Sequence, residues 1–376
     1  MPVTLPHDVS LRITSGGLAV VEAILELARW APSGDNTQPW RFEVLNAGHV
    51  VVHGSDTRDH CVYDLDGRPS QMSVGALIET AAIAAADQGL KMDCSRRQGT
   101  PDSNPVFDLR FTADATVPRD PLVDAIRARS VQRRPYAATP LSDFQKTELE
   151  ASVAPSHTVR WIEGPSARLA AAMLMFRSAR LRLVTPEAYR VHREVIEWDA
   201  QFSTDKVPDR ALGVNQATLN LMRFAMHSWP RVQFFNRFLA GTWMPRVQMD
   251  FLPAWACGAH FVLLAHRPPL GIDENIQAGR AMQRFWLSAT HLGLMMQPEL
   301  TPLIFARYAR ENRLFSASPG AMAAARGVAD RMQRVMGADT VERGVFMGRL
   351  GHAPAPQSRS LRKDLNALQR ARSSNA

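Results

Sequence analysis

The stretch "ARWAPSGDNTQPWRFEV", Ala28 to Val44, places Pro32, Ser33, Gly34, Asp35, Asn36 and Pro39 between a helical and a strand-like segment. Upstream, Leu18, Val21, Leu25 and Ala28 fall on one helical face, so "GLAVVEAILELARW" predicts a helix that packs on a core and stops at Pro32. Downstream, "WRFEVLN" and "HVVVHG" alternate as strands, and the intervening "AG" predicts a hairpin. A loop held between rigid elements is a common site for binding groups. This one offers the Ser33 hydroxyl, the Asn36 amide and free backbone N–H groups. A Pro/Gly/Asn-rich turn with no ligand has the same spacing, so the loop alone leaves both readings open.

A second pattern bears on the whole fold. "GALIETAAIAAADQGL" runs from Gly75 to Leu90 and "GRAMQRFWLSATHLGL" from Gly279 to Leu294, with apolar residues matched along one helical face. Two such helices predict an internal duplication. A shortened "VAPSHTVRW", Val153 to Trp161, keeps Ala154-Pro155-Ser156 and a tryptophan and follows a helical "FQKTELEAS", as a faded second copy of the first loop would.

Arginines are concentrated in "IRARSVQRRPY", Ile126 to Tyr136, just ahead of a predicted helix. Guanidinium groups so placed suit a phosphate, and they equally suit a solvated basic helix end. The closing "GVFMGRLGHAPAPQSRSLRKDL", Gly344 to Leu365, reads as a strand, a proline-broken loop and a basic segment with Arg359, Arg362 and Lys363. That segment is either solvated or a second arm of a phosphate site.

With 376 residues, 45% hydrophobic and 21% charged, the chain has core enough for two domains or one duplicated domain. No apolar run approaches the roughly 20 residues of a membrane span, and the start lacks a signal-like apolar region. The expectation is a cytoplasmic protein. Cys61, Cys94 and Cys257 are scattered, as are the histidines, so neither disulfides nor a metal site is expected. The net charge of +8 is spread along the chain without a nucleic-acid module, and anionic small molecules account for it as well.

Together these residues resemble the FMN-dependent nitroreductase family, and "APSGDNTQPW" is the specific match to its A-P-S-x-N-x-Q-P-W loop, with one residue more between Ser33 and Asn36. The repeat and length resemble the double-length, Acg-like branch, in which two nitroreductase-type halves share one chain. The implied fold is α+β: a nitroreductase-like fold, internally duplicated, with mixed β-sheets flanked by helices, a pseudo-dimer. Residues 1–120 would carry the ring-side loop. Residues 121–376 would carry the phosphate arginines and the Gly-Leu segment, with an aromatic-rich lid inserted at about 183–255.

The resemblance implies FMN as cofactor and NAD(P)H as electron donor. Arg129 and Arg133 would clamp the phosphate, with Arg134 and Arg359 as helpers. Pro32, Ser33 and Asn36 would lie against the isoalloxazine ring. The backbone after Gly293 and Leu294, from Met295 to Gln297, would face the flavin N5. In the register Arg129-x-x-x-Arg133 the middle residue is Val131, and the hydroxyl is displaced to Ser130, whose role stays open. Residues 1 to 20 hold only Arg12, so one complete site per chain is implied.

The implied activity is reduction of nitroaromatics, quinones or activated alkenes by flavin hydride transfer; the alternative is a flavin-storing protein with occluded FMN. No side chain is singled out as catalytic, because in flavin enzymes the cofactor carries the hydride chemistry. The expected partner is a small-molecule substrate, with no nucleic acid and no membrane, and with the FMN site inside one chain, as monomer or dimer. The segment 183–255, rich in Trp, Phe and Met, reads as a lid, as core or oligomer contact, or less readily as a membrane-surface segment, since no clean basic face emerges from the sequence.

Overall fold

The computed structural model describes residues 17–239 and 241–370; Arg12 lies outside them. Helix α1 (Gly17–Ala28) buries Val21, Ile24, Leu25 and Ala28, the i, i+3, i+4, i+7 stripe that the sequence predicts. Leu18, expected on the same face, is 55% exposed in the first turn. Strands β1 (Trp40–Asn46) and β2 (His49–Gly54) form the hairpin. Helix α2 (Arg68–Asp87) follows, then β3 (Leu90–Arg96) and β4 (Val106–Ala113). The four strands make one antiparallel sheet in the order β1-β2-β4-β3.

The same layout recurs. Helix α3 (Asp143–Val153) leads into β5 (His157–Ile162). A long excursion with α4 (Pro165–Val184), α5 (Pro186–Val195), α6 (Gln216–Ala225) and α7 (Trp229–Phe238) separates β5 from β6 (Ala259–Ala265). Helix α8 (Ile272–His291), β7 (Met295–Pro298), α9 (Thr301–Arg310), α10 (Ala321–Met336) and β8 (Gly344–Gly351) complete the chain's main elements. The second sheet runs β5-β6-β8-β7, again wholly antiparallel. Counted within each sheet, the order is first, second, fourth, third in both. Among the described residues, parallel pairing occurs in two-residue strands such as Phe202–Ser203 with Arg359–Ser360 and at the isolated bridges Phe42–Gln369 and Val131–Met296.

Helices α2 and α8 cross at the centre, and glycine is what lets them approach. A Cβ on Gly75 would collide with the Ile276 carbonyl oxygen, and one on Gly279 with the Met72 carbonyl oxygen. The two contacts are reciprocal, because 279 − 75 and 276 − 72 are both 204. Gln71 and Asn275, also 204 apart (275 − 71), meet each other through a buried 2.8 Å hydrogen bond. Gly75→Ala or Gly279→Ala is therefore expected to cost about 1–3 kcal/mol, since backbone must move to admit the methyl. Gly327, inside α10, faces open space, so Gly327→Ala should stabilise by up to about 1 kcal/mol. Urea unfolding of the three variants checks the contrast.

One core runs through both halves, joining Trp40 and Leu77 to Phe261, Phe285 and Leu350. Phe261 of β6 lies 4.4 Å from Phe285 of α8, centroid to centroid. The opposite face of the second sheet, with Val262, Leu264 and Met347, packs on helices of the excursion and on α9 and α10. This is why β6 is apolar on both faces. The excursion between β5 and β6 spans residues 163–258, so the aromatic-rich 183–255 is the outer part of a larger insertion.

A buried charged network sits where β6, β7 and β8 meet. Glu299 accepts from Arg349 Nη1 at 2.7 Å and pairs with His260 Nδ1 at 2.7 Å. His260 Nε2 faces the Ala254 carbonyl oxygen at 2.7 Å. Burial opposes charge on His260, but Glu299 outweighs it and lifts the imidazole to about 10. Arg349 also donates to the Arg133 carbonyl at 3.3 Å, tying this network to the cavity wall described next.

Candidate active site

A cavity of about 330 Å³ lies between the first loop, the start of α2, the segment 129–133, the end of β7 and the chain's closing segment. The loop is held in an uncommon backbone: Asp35, Asn36 and Gln38 have φ of 50°, 62° and 50°. Left-handed residues other than glycine cost of order 1–3 kcal/mol each and persist only when surrounding contacts fix them. Here the contacts are specific. Gln38 Nε2 donates to the Thr204 carbonyl at 2.9 Å, and its Oε1 accepts from Lys363 N at 2.9 Å. Asn36 Nδ2 donates to the Lys206 carbonyl at 3.2 Å, and its Oδ1 accepts from Arg362 Nη1 at 2.9 Å. Asn36 thus clasps the loop to the insertion and to the closing segment, with both ends of its amide engaged. Ser33 Oγ accepts from Gln38 N at 3.0 Å, which leaves its hydroxyl proton available.

Three guanidinium groups gather beside this loop. Arg129, 3% exposed, donates to the Trp30 carbonyl at 3.0 Å and lies 4.5 Å from the Trp286 ring centroid. Arg362 donates to the Ala31 carbonyl at 2.9 Å. Arg359 donates to the carbonyl oxygens of Arg127 and Arg129 at 3.1 and 3.2 Å. Among the described residues no carboxylate pairs with any of the three. Burial first, and then the neighbouring Arg359 and Arg29, pushes Arg362 down to about 9. Burial, Arg362 and Arg359 hold Arg129 well below the ordinary range. Buried cations without counter-charge form a site that calls for an anion. The Arg129 Nε has no hydrogen-bond partner among the described residues.

Arg133 belongs to a different electrostatic neighbourhood. Burial lowers it to about 10, and Asp35 opposes that shift. Val131 forms a parallel bridge with Met296, and Gln132 N donates to the Met296 carbonyl. The extended backbone sends alternate side chains to opposite sides, so Arg129, Val131 and Arg133 line the cavity while Ser130 and Arg134 do not. Ser130 is buried elsewhere and Arg134 is exposed. Of the Gly-Leu segment only Gln297 reaches the cavity. Gly293 closes α8 with φ 73°, Leu294 is core, and Met295 is half-buried outside the lining. The Gln297 Oε1 is buried without a partner. Pro32, Ser33 and Asn36 all line the cavity, and Arg359 stands behind Arg129.

The far wall holds residues that sequence reasoning did not single out. Tyr63 OH and His192 Nε2 share a 3.0 Å hydrogen bond, with their rings stacked at 5.8 Å. Arg182 grips Asp250 at 2.6 and 2.7 Å. Asp64 shapes this wall by accepting from Thr57 and Ser70, both backbone and hydroxyl. No motif marks Tyr63 or His192, whereas Arg362 was visible in the basic run "SRSLRKDL". The aromatic side chains proposed as a lid do not line the cavity; the insertion reaches it through Arg182, His192 and Val207. No group of three or more His, Cys, Asp or Glu among the described residues could hold a metal ion.

Burial, aided by Arg182, lowers His192 to about 3, and burial with His266 lowers His157 to about 4. Below the ordinary 6.5 the unfolded chain binds protons that these folded imidazoles refuse, so stability falls as pH drops from there towards 3. Each histidine contributes at most about 1.4 kcal/mol per pH unit. His192→Gln should flatten part of this slope in urea unfolding followed across that range.

The family model described as "Nitroreductase family" matches residues 18–66, which hold α1, the loop, the hairpin and the Tyr63 wall. In that stretch the chain is similar to the nitroreductase family. The Mycobacterium tuberculosis protein named as an NAD(P)H nitroreductase, Acg, is 29% identical over 201 residues, covering 51% of this chain and 58% of Acg. The chain therefore matches less than two thirds of that relative's length. A second M. tuberculosis protein of that name, Rv3131, is 28% identical over 297 residues, covering 76% of this chain and 78% of its own. A nitroreductase from Bacteroides fragilis, solved with bound FMN, aligns with 62% of this chain and 89% of its own at 9% identity and a TM-score of 0.35. No helix among the described residues is long and apolar enough to cross a membrane.

Proposed function

We propose that this chain binds FMN in the cavity and uses NAD(P)H to reduce nitroaromatics, quinones or activated alkenes. The observation that carries this reading is the unneutralised trio of buried Arg129 and Arg362 and half-buried Arg359 beside the "APSGDN" loop. A phosphate monoester would satisfy their open donors in charge-assisted bonds. The residues fit the cofactor on two further grounds: the Gln297 Oε1 lacks a donor, and the Ser33 hydroxyl keeps a free proton. When bound, FMN supplies the hydride chemistry.

The chain's own residues supply position, shielding and protons. Pro32 and Trp286 give the cavity apolar walls, and Val207, Ser360 and Arg362 border it. Burial keeps the Tyr63 phenol protonated and His192 neutral, so a proton is held at the Tyr63 oxygen against the cavity. Both halves contribute to the one site, the loop from the first and the arginines and Gln297 from the second. We infer that they descend from one duplicated unit, supported by the shared strand order and the reciprocal glycine contacts.

The contacts of residues 204–206 with Gln38 and Ser360 at the cavity rim favour a second reading, in which the chain stores occluded FMN. NADH or NADPH oxidation in the presence of menadione or nitrofurazone separates the two. Sustained oxidation supports the reductase; bound flavin without oxidation supports storage; absence of any bound flavin rejects both.

A further inference from the structure

The outer hairpin of the insertion, α6 and α7, takes no part in the cavity. Helix α7, "WPRVQFFNRF", carries four aromatic residues, yet none of its ten residues is buried. Phe224, Phe234 and Phe238 are 55%, 53% and 62% exposed. Their rings connect: Phe224 to Phe235 at 6.1 Å, Phe235 to Phe234 at 6.1 Å, and Phe234 to Phe238 at 5.2 Å. Leu239, Trp243 and Met244 continue the exposed apolar run. A contiguous apolar patch of this kind marks a contact surface.

Charge identifies what it contacts. Residues 210–249 contain five arginines and no carboxylate. Arg231 lies 4.6 Å from the Phe224 ring centroid, and Arg237 lies 5.4 Å from that of Phe238. Arg223 pairs with Asp199 at 2.7 Å, but among the described residues Arg231 and Arg237 have no carboxylate partner. Beside Trp243, which meets Phe176 at 5.3 Å, α4 exposes Arg177 and Arg180. Exposed rings crowned by unpaired guanidinium groups match the boundary between anionic headgroups and acyl chains. A second copy docked face to face would set these arginines against one another with no carboxylate between them.

We propose that the α6–α7 hairpin docks on an anionic lipid surface, with Phe224, Phe234 and Phe238 inserted at the headgroup boundary and Arg231 and Arg237 on lipid phosphates. The sequence alone argues against membrane contact because no clean basic face emerges from it. Folding collects them around the unburied rings.

The test is sedimentation of the full chain with vesicles of equal parts phosphatidylcholine and phosphatidylglycerol, and with vesicles of phosphatidylcholine alone. The chain should sediment with the anionic vesicles and less so as salt is raised. Phe234→Ser/Phe238→Ser and Arg231→Gln/Arg237→Gln should each weaken partitioning by about tenfold or more. Near-UV circular dichroism and the thermal midpoint of both variants should match the parent. Failure to bind anionic vesicles at low salt, or equal binding by parent and variants, would overturn the proposal. So would a parent dimer that the phenylalanine variant converts to monomer, or saturable binding to an acidic protein in place of the vesicles.

Discussion

Arg129→Ala weakens FMN binding by about ten- to a hundredfold, while the FMN-free variant becomes more stable than the FMN-free parent. The first effect follows from losing a charge-assisted hydrogen bond worth about 1.5–3 kcal/mol. The second has the opposite sign because Arg129 is buried beside Arg359 and Arg362 with no carboxylate partner among the described residues. Without an anion it is a cost to the fold. Thermal unfolding with and without saturating FMN checks both at once, since a ligand that binds only the folded chain raises its midpoint. Arg129→Ala should narrow the gap between the two midpoints from both sides. A variant that loses stability equally with and without FMN would make Arg129 a packing residue.

Glu299→Gln is the most damaging single change expected outside the cavity, at about 3–5 kcal/mol. It leaves Arg349, 2% exposed, and the buried His260 without the carboxylate that both bind at 2.7 Å. That loss is a large share of the roughly 5–15 kcal/mol that holds a typical domain folded. Urea unfolding reads it directly. A loss under about 1 kcal/mol would mean that the network relaxes or takes up water. Because Arg349 holds the Arg133 carbonyl, the variant should also loosen the 129–133 wall.

Local pattern made part of this molecule legible in the sequence. Helix α1 and the first hairpin follow from periodicity and turn chemistry. The matched glycines singled out two helices as a repeat, and in the structure a Cβ on either glycine would strike the backbone of the other helix. The loop was found because proline, glycine and asparagine crowd where the backbone turns left-handed at Asp35, Asn36 and Gln38.

What was not legible depends on long-range pairing. Nothing local shows that 129–133 lies extended beside Met296, and that pairing alone decides that Val131, and not Ser130, faces the cavity. Arg362 and Asn36 are 326 residues apart in sequence, so their hydrogen bond has no sequence signature. Tyr63 and His192 meet across 129 residues for the same reason. The aromatic side chains of the insertion do not line the cavity, because composition reports that large rings are present, not which way a folded hairpin turns them.

The central claim is that one chain builds one anion-neutralised FMN site from both of its halves. Heat release of flavin from the purified protein, quantified against chain concentration after saturation with FMN, tests it most directly. The account predicts a ratio near one, falling sharply in Arg129→Ala/Arg362→Ala. A ratio near two, or a ratio near one that survives the loss of both arginines, would contradict it.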